Sequence, residues 1–212
     1  MDVRVRLETE DDYREVEELT REAFWNLYVP GCNEHYLAHV MRDHRDFIPE
    51  LSYVALADGK IVGSIMYTAS RVIDTQEEFL DTITFGPVSV LPDFQRLGIG
   101  SMLIWKTIDE AKARGERAII IYGHPKNYCK FGFKSSKDYT IASIDGRYPY
   151  SLLVLELEKG IFAGGQWRYQ ESEVYDVDAD KAEEFDKTFP YKEKKYQYSQ
   201  EEFRMSCRAF VE

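Results

Sequence analysis

The 212-residue chain lacks an excess of positive charge, since 27 Lys and Arg residues face 38 Asp and Glu residues and give a formal net charge of -11 at pH 7. This balance argues against non-specific binding to nucleic acid and gives no attraction to an anionic membrane surface. No apolar run approaches the roughly 18 residues of a membrane-spanning helix, and the N-terminus has no apolar stretch of signal-peptide length. We therefore expect a cytoplasmic protein that binds neither nucleic acid nor membrane.

Cysteine is also scarce. Cys32, Cys129 and Cys207 are odd in number, far apart and outside any CxxC arrangement. This pattern is typical of reduced thiols in a reducing compartment. Cys129 with His124 would suit a thiol nucleophile and its base, but such a hydrolase has no use for the glycine pair at 98 and 100. The sequence therefore favours thiols without a catalytic role.

Metal-ligand motifs are sparse as well. His35 and His39 are four residues apart, so a helix would place both rings on one face, as zinc ligands are placed. No glutamate stands between them where a hydrolytic HExxH motif requires it, and no third ligand is evident. We expect a polar helix face here and no metal site.

What the chain does have is enough apolar sequence for a sizeable core, with 44% hydrophobic and 14% aromatic residues. Asp58-Gly59, between two apolar runs, is a strong signal for a β-hairpin. The pattern alternates between strand and helix, which predicts a mixed α/β sheet with helices on its faces. The predicted elements are strands at 3–7, on both sides of 58–59, and at 82–92, 117–122, 139–144, 151–157 and 167–170; helices at 9–25, 33–44, 97–114 and 125–131; and two acidic helices after 170, the last with a Ser199/Glu202 capping box.

The strand at 82–92 contains Gly86-Pro87 in its middle. Because proline cannot donate to a strand ladder, the strand must bulge, bend or lie open on one side at this point.

The helix that follows opens with Gly98 and Gly100, although a glycine inside a helix costs about 1 kcal/mol relative to alanine. The unpaired N–H groups of a first helical turn, with the positive end of the helix dipole, suit a phosphate, and glycine allows it to approach closely. Gln95 and Arg96, just ahead, add side-chain donors. An alternative is that the glycines only let the helix pack closely on the sheet.

Two other phosphate motifs do not fit. A P-loop needs a lysine that is missing after Gly100, and a dinucleotide fingerprint needs a third glycine where Leu103 stands.

Two motifs together resemble the GNAT superfamily of N-acetyltransferases. Residues Gln95 to Gly100 match its Q/R-x-x-G-x-G/A acyl-CoA loop, and the V-S-V-L-P before them is similar to its splayed fourth strand. The segment GHPKNYCKFGF at 123–133 is similar to its second signature. The element order from 3 to about 157 is also similar, whereas residues beyond about 170 are outside the resemblance.

The resemblance implies a GNAT-like fold with a splayed central strand. We expect a GNAT acetyltransferase domain at 1–158 and a C-terminal extension at 159–212. The extension would pack on the domain or on the partner in a possible homodimer, and we favour the covering role.

The resemblance also implies the donor and the site residues. The donor would be acetyl-CoA, and the acceptor a primary amine of a small molecule that attacks the thioester directly through a tetrahedral oxyanion. Tyr128 stands five residues before Phe133, where the superfamily has a tyrosine general acid, and a phenol with a pKa near 10 can protonate a departing thiolate. Lys126 and Lys130 are expected to be solvated. The residues assigned to acetyl-CoA are Val88, Ser89 and Val90 on the splayed strand, Gln95, Arg96, Leu97, Gly98, Ile99, Gly100 and Ser101 in the loop, and Asn127.

No catalytic base is evident. The superfamily often has a glutamate on the splayed strand, but TITFGPVSV has no carboxylate. Glu34, Asp81, His124 and a chain of ordered water are the alternatives. Ile121 also departs from the pattern, because many members carry a cofactor-contacting asparagine there. Trp25, Tyr28, Cys32 and Glu34 lie on the segment that usually closes over the acceptor.

Three functions of different classes are therefore weighed: an acetyl-CoA-dependent amine N-acetyltransferase, which we favour, a non-catalytic acyl-CoA sensor or interaction module, and an unrelated nucleotide-phosphate binder. The acceptor's identity and the oligomeric state do not follow from the sequence.

Overall fold

The computed structural model describes residues 2–212. Within these residues a nine-stranded mixed sheet has the order β1-β2-β3-β4-β5-β8-β6, while β9 pairs with β3, and β7 with β9, the strands being numbered in chain order as given below. The predicted mixed α/β class is confirmed. The strands are β1 (Val3–Leu7), β2 (Tyr53–Ala57), β3 (Lys60–Asp74), β4 (Phe79–Val90), β5 (Ala118–Tyr122), β6 (Lys134–Ser135), β7 (Ile141–Ala142), β8 (Leu152–Glu156) and β9 (Trp167–Gln170), and the helices are α1 (Tyr13–Phe24), α2 (Glu34–Met41), α3 (Ile99–Arg114), α4 (Pro125–Tyr128), α5 (Ala179–Asp186) and α6 (Tyr198–Cys207).

The predicted hairpin joins β2 to β3. Asp58 and Gly59 both adopt positive φ, 51° and 81°, as a type I′ turn requires.

The two faces of the sheet are covered by different helices. On one face α3 packs against a core that includes Tyr67, Phe85 and Leu103. On the other face α1 buries Val16 and Leu19 against β2 and β3, and α2 buries Met41 against Met66. Burial of these apolar side chains on both sides supplies the main driving force for the fold.

Helix α3 packs closely against Gly63 of β3. A Cβ at Gly63 would lie 3.0 Å from Ile99 Cγ2 and 3.2 Å from Leu103 Cδ1. By contrast, a Cβ at Gly98 would meet no atom within 4 Å, and one at Gly100 only Val90 Cγ2 at 3.6 Å. Close helix–sheet packing therefore depends on Gly63, and the packing explanation for the other two glycines does not hold.

The C-terminal segment packs on α1, α2 and the loop between them. Asp186 accepts two hydrogen bonds from the Arg21 guanidinium, at 2.6 and 3.2 Å. In the loop, Asn26 Oδ1 accepts from Lys195 N at 2.9 Å, and the buried Gln200 donates to Asn26 O at 3.0 Å. Buried polar contacts of this kind hold a chain segment in a single position.

Three local predictions were wrong. Helix α6 has Gln197 as its N-cap, and Ser199 donates instead to Leu27 O at 2.8 Å, so the Ser199/Glu202 capping box does not form. The strand at 139–144 is reduced to Ile141–Ala142, because Ser143 and Arg147 close a turn around Asp145. The helix at 33–44 ends at Met41.

Candidate active site

The open edge of β4 is the centre of the site. β4 and β5 run parallel, and their register is a single pair within residues 2–212, Ile83 with Ile119. Beyond this pair the two strands diverge, and β4 continues to Val90. The register with β3 also shifts between Ile65 and Tyr67, opposite the Gly86-Pro87 segment, which confirms the predicted irregularity.

Val88 and Val90 direct their backbone groups to the open side. Leu91 N–H donates to Val62 O of β3 at 3.0 Å. Because backbone groups alternate along a strand, those of Val88 and Val90 point away from β3 toward the gap. Ser89 points its side chain to the α1 face, where its hydroxyl donates to Thr20 Oγ1 at 3.0 Å.

The glycine loop connects β4 to α3. Gly98 is the N-cap of α3 with φ of 89°, a left-handed conformation that glycine adopts without strain. Helix geometry leaves the N–H groups of the first turn, Ile99 to Ser101, without intrahelical acceptors. This turn starts beside the gap between β4 and β5, since Gly100 lies next to Val90.

The side chains around this turn take distinct places. Gln95 donates to Val90 O at 3.1 Å, so it braces the loop against β4. Arg96 is exposed with φ of 62°, and its guanidinium makes no ion pair with any residue of 2–212. Lys130, predicted to be solvated, donates to Ser101 Oγ at 2.8 Å and adds a positive charge to the start of α3. Leu97 and Asn127 are exposed.

Tyr128 stands at the end of α4 with its ring against β4. Its centroid is 5.7 Å from that of Phe85 and 6.1 Å from that of Phe133. Burial raises the pKa of the Tyr128 phenol well above its usual range, and the neighbouring Tyr28 raises it further. The hydroxyl is therefore protonated at neutral pH.

Tyr28 forms a second aromatic wall near Tyr128. Its ring stacks on Phe203 of α6, with centroids 4.5 Å apart. Burial raises the pKa of Tyr28, and the charge of Glu34 adds to this. Glu34 itself accepts a hydrogen bond from Asn33 N at 3.1 Å, and burial raises its pKa. Of the four residues on the segment expected to close over the acceptor, Tyr28 and Glu34 thus lie close together, and Tyr28 lies near Tyr128.

The other two candidate bases are differently placed. Asp81 is exposed and lies opposite Arg71 in the β3–β4 register. His124 is exposed, and its Nδ1 accepts from Lys126 N at 3.2 Å as the N-cap of α4.

The histidines weighed as metal ligands serve internal contacts. His35 is fully buried, with Nδ1 3.4 Å from Cys32 Sγ and Nε2 3.2 Å from Asp186 Oδ1. His39 contacts Glu17 at 2.9 Å. Burial raises the pKa of the Cys32 thiol far above neutrality, so this Cys–His–Asp arrangement holds an inert thiol. Within residues 2–212 no three His, Cys, Asp or Glu side chains converge as a metal site would require.

None of the helices in residues 2–212 combines the length and apolar character needed to cross a bilayer.

The fold and the glycine loop agree with the family comparison. A model described as the acetyltransferase (GNAT) family matches residues 21–133, just over half of the chain. The chain belongs to the GNAT acetyltransferase family. The match includes β4, the loop, α3 and Tyr128, and it ends before the C-terminal segment.

Two GNAT relatives from Escherichia coli K12 are similar in sequence. The chain is 31% identical to the uncharacterized N-acetyltransferase YjhQ over 86 residues, which are 41% of this chain and 47% of YjhQ. It is 28% identical to the uncharacterized N-acetyltransferase YhbS over 131 residues, which are 61% of this chain and 72% of YhbS. The first match thus spans about half of that relative's length.

Two solved GNAT structures share the fold. YhbS from Escherichia coli in complex with CoA superposes with a TM-score of 0.70 at 22% identity, covering 82% of this chain and 92% of that one. A GNAT acetyltransferase from Brucella melitensis in complex with acetyl-CoA superposes with a TM-score of 0.63 at 24% identity, covering 82% and 98%. At these identities the likeness establishes the architecture.

Proposed function

We propose that this protein transfers the acetyl group of acetyl-CoA to a primary amine of a small molecule. One observation carries the proposal: the open edge of β4 leads directly from the amides that open α3 to the Tyr128 ring. A single cleft therefore offers binding groups for a diphosphate, an extended amide arm and a leaving thiolate.

Val88 and Val90 provide the arm's partners. Their backbone groups face the gap, so a pantetheine arm, which contains two amides, docks there as an additional strand would. Because the Gln95 side chain already donates to Val90 O, the Val90 N–H and the Val88 N–H and C=O remain to bind the arm.

The first turn of α3 provides the diphosphate site. The unpaired N–H groups from Leu97 to Ser101 and the helix dipole attract the anion, and Gly98 and Gly100 keep the approach free of side chains. Lys130, held by Ser101, and the exposed Arg96, which lies in the loop just before α3, contribute positive charge here.

Tyr128 provides the proton for the leaving group. As the C–S bond breaks, the sulfur takes the phenolic proton, and the amine nitrogen loses its own proton to solvent or to a base. The raised pKa keeps the phenol protonated until a thiolate develops next to it. Asn127, the neighbouring residue, is assigned to the CoA arm.

We further propose that residues 1–158 form the GNAT domain and that residues 159–212 pack on it to complete the acceptor side. The stacking of Phe203 on Tyr28, and the hydrogen bonds from Lys195 and Gln200 to Asn26, support this arrangement.

The test combines two measurements. Thermal unfolding with CoA should show a higher Tm, because a ligand that binds the folded state stabilises it. ADP alone should give a smaller shift. Free-thiol release from acetyl-CoA is then measured against a panel of primary amines, with the amine-free reaction as control. A CoA-dependent Tm increase without thiol release would favour the acyl-CoA binder, and stabilisation by ADP but not CoA would contradict the proposed cleft.

A further inference from the structure

Glu171 lies at the end of β9, just before a turn that contacts the splayed segment of β4. The last pair of the β3–β9 register is Arg71 with Gln170, so Glu171 is the first residue beyond the sheet. The chain then turns at Ser172, and the Tyr175 hydroxyl donates to Gly86 O of β4 at 3.1 Å. Glu171 therefore lies between the end of a strand and a turn that contacts the splayed segment.

Three tyrosines from different segments are influenced by this carboxylate. Tyr122 ends β5, and its ring centroid is 5.9 Å from that of Tyr169 in β9. Tyr169 donates to Ile120 O at 3.2 Å, which connects β9 to β5 across the sheet face. Burial raises the pKa values of Tyr122, Tyr169 and Tyr175, and in each case the charge of Glu171 raises the pKa further. The charge of Glu171 therefore acts on all three phenols.

Glu171 has no counter-ion. Within residues 2–212 no Lys, Arg or His nitrogen lies within 4 Å of its carboxylate, and no group donates a hydrogen bond to it. Glu171 is in contact with solvent, but protein surrounds the carboxylate closely enough that partial burial raises its pKa to about 7. Burial also raises the pKa of Glu34, which likewise has no ion pair within residues 2–212, whereas Glu8 and Glu17 are paired with Arg42.

We propose that Glu171 receives the ammonium group of the acceptor and takes its proton, an inference that rests on the proposed acetyltransferase function. The class of acceptor is thus a cationic primary amine that enters over the sheet face that carries Tyr122. Its ammonium supplies the positive charge that the carboxylate lacks, and the exposed Tyr122 ring offers a face suited to a cation. An N–H bond of the ammonium breaks, an O–H bond forms on Glu171, and the neutral amine then attacks the thioester carbonyl.

This assignment supplies the base that residues 82–90 of β4, which contain no carboxylate, do not provide. A base acts best when its pKa is near the working pH, and Glu171 meets that condition. Its position also differs from that of Tyr128, which packs on the opposite face of β4 with Phe85 and Phe133. Acid and base would therefore act from the two faces of the splayed strand. Glu34, near Tyr28, is the rival base.

The experiment compares Glu171→Gln with Glu34→Gln and with Glu173→Gln as the matched control. Glu173 is an exposed residue two positions further on, whose only ion pair within residues 2–212 is with exposed Arg45 at 3.5 Å. With the best amine of the panel, we expect Glu171→Gln to lower kcat/KM at pH 7 by about 100-fold or more, with KM for acetyl-CoA within twofold of wild type. The acid limb of the kcat/KM profile, with an apparent pKa near 7, should disappear. Glu173→Gln should match wild type.

Two results would overturn the inference: an unchanged profile in Glu171→Gln, or loss of the acid limb in Glu34→Gln alone.

A second readout does not depend on turnover. Carboxyl-labelled glutamate followed by NMR should show one resonance that titrates near pH 7, is missing in Glu171→Gln, and moves when butylamine or 1,4-diaminobutane is added with CoA. If the chemical shift of this resonance does not change with either amine in a protein that binds CoA, the inference is overturned. Absence of CoA binding in wild type and variant alike instead overturns the proposed function.

Discussion

Removing the Tyr128 hydroxyl tests the proposed acid directly. In Tyr128→Phe the ring keeps its contacts with Phe85 and Phe133. The hydroxyl makes no hydrogen bond within residues 2–212, so its loss should change the free energy of unfolding by less than about 0.5 kcal/mol. A positioned acid contributes about 10²–10⁴-fold, so we expect kcat to fall at least about 100-fold, equivalent to about 2.7 kcal/mol in the barrier.

Gly123 allows the same acid to be displaced without changing its chemistry. A Cβ at Gly123 would lie 2.7 Å from Tyr128 Cδ2 and closer still to Cε2. Gly123→Ala should therefore push the ring away from its place and lower kcat, although the phenol is intact. If both changes act through the hydroxyl, the double variant should be no slower than Tyr128→Phe alone.

The assay is free-thiol release at saturating amine, with KM for acetyl-CoA and Tm measured in parallel. A Tyr128→Phe enzyme with kcat within threefold of wild type would refute the assignment. Fully additive losses in the double variant would show that Gly123 acts by another route.

Three further changes test the loop and the buried contacts of the C-terminal segment. Gly100→Ala adds a Cβ that meets only Val90 Cγ2 at 3.6 Å, so the Tm of the protein should stay the same or rise. Because the Cβ would stand where the diphosphate approaches, calorimetry should show weaker CoA binding. An unchanged CoA affinity would contradict the diphosphate site. Asp186→Asn leaves the Arg21 guanidinium, which is only 5% exposed, without its carboxylate partner. The free energy of unfolding, measured with urea, should fall by about 3–5 kcal/mol. A loss below about 1 kcal/mol would refute this. Burial lowers the pKa of His35 to about 4, so the unfolded chain binds its proton first as the pH falls below 6.5. The free energy of unfolding should therefore drop by about 1.6 kcal/mol more in wild type than in His35→Gln between pH 6.5 and 5, and equal pH dependence of the two proteins would contradict this.

Features encoded by neighbouring residues could be predicted from the sequence. The Asp58-Gly59 hairpin and the glycine that starts α3 depend on backbone conformations that a few residues determine. The family resemblance likewise rests on short motifs at 95–100 and 123–133.

Features that depend on distant contacts could not be predicted. Nothing around Gly63 indicates that α3 will approach it, since Ile99 and Leu103 are more than thirty residues away. Glu171 is one of 38 acidic residues, and its lack of a counter-ion follows only from where β9 joins the sheet. Ser199 matched a capping pattern, but Leu27 O offered it a tertiary acceptor.

The position of α6 has a consequence for biosynthesis. Helix α6 packs on Tyr28, and Val211 N donates to Tyr148 O at 2.8 Å, so residues 198–211 connect two loops that are far apart in sequence. Domains fold from the N-terminus while the chain is being made, but these contacts must wait until residues 198–211 have left the ribosome. A nascent chain can therefore assemble its sheet early and still present an incomplete wall beside Tyr28 until α6 emerges.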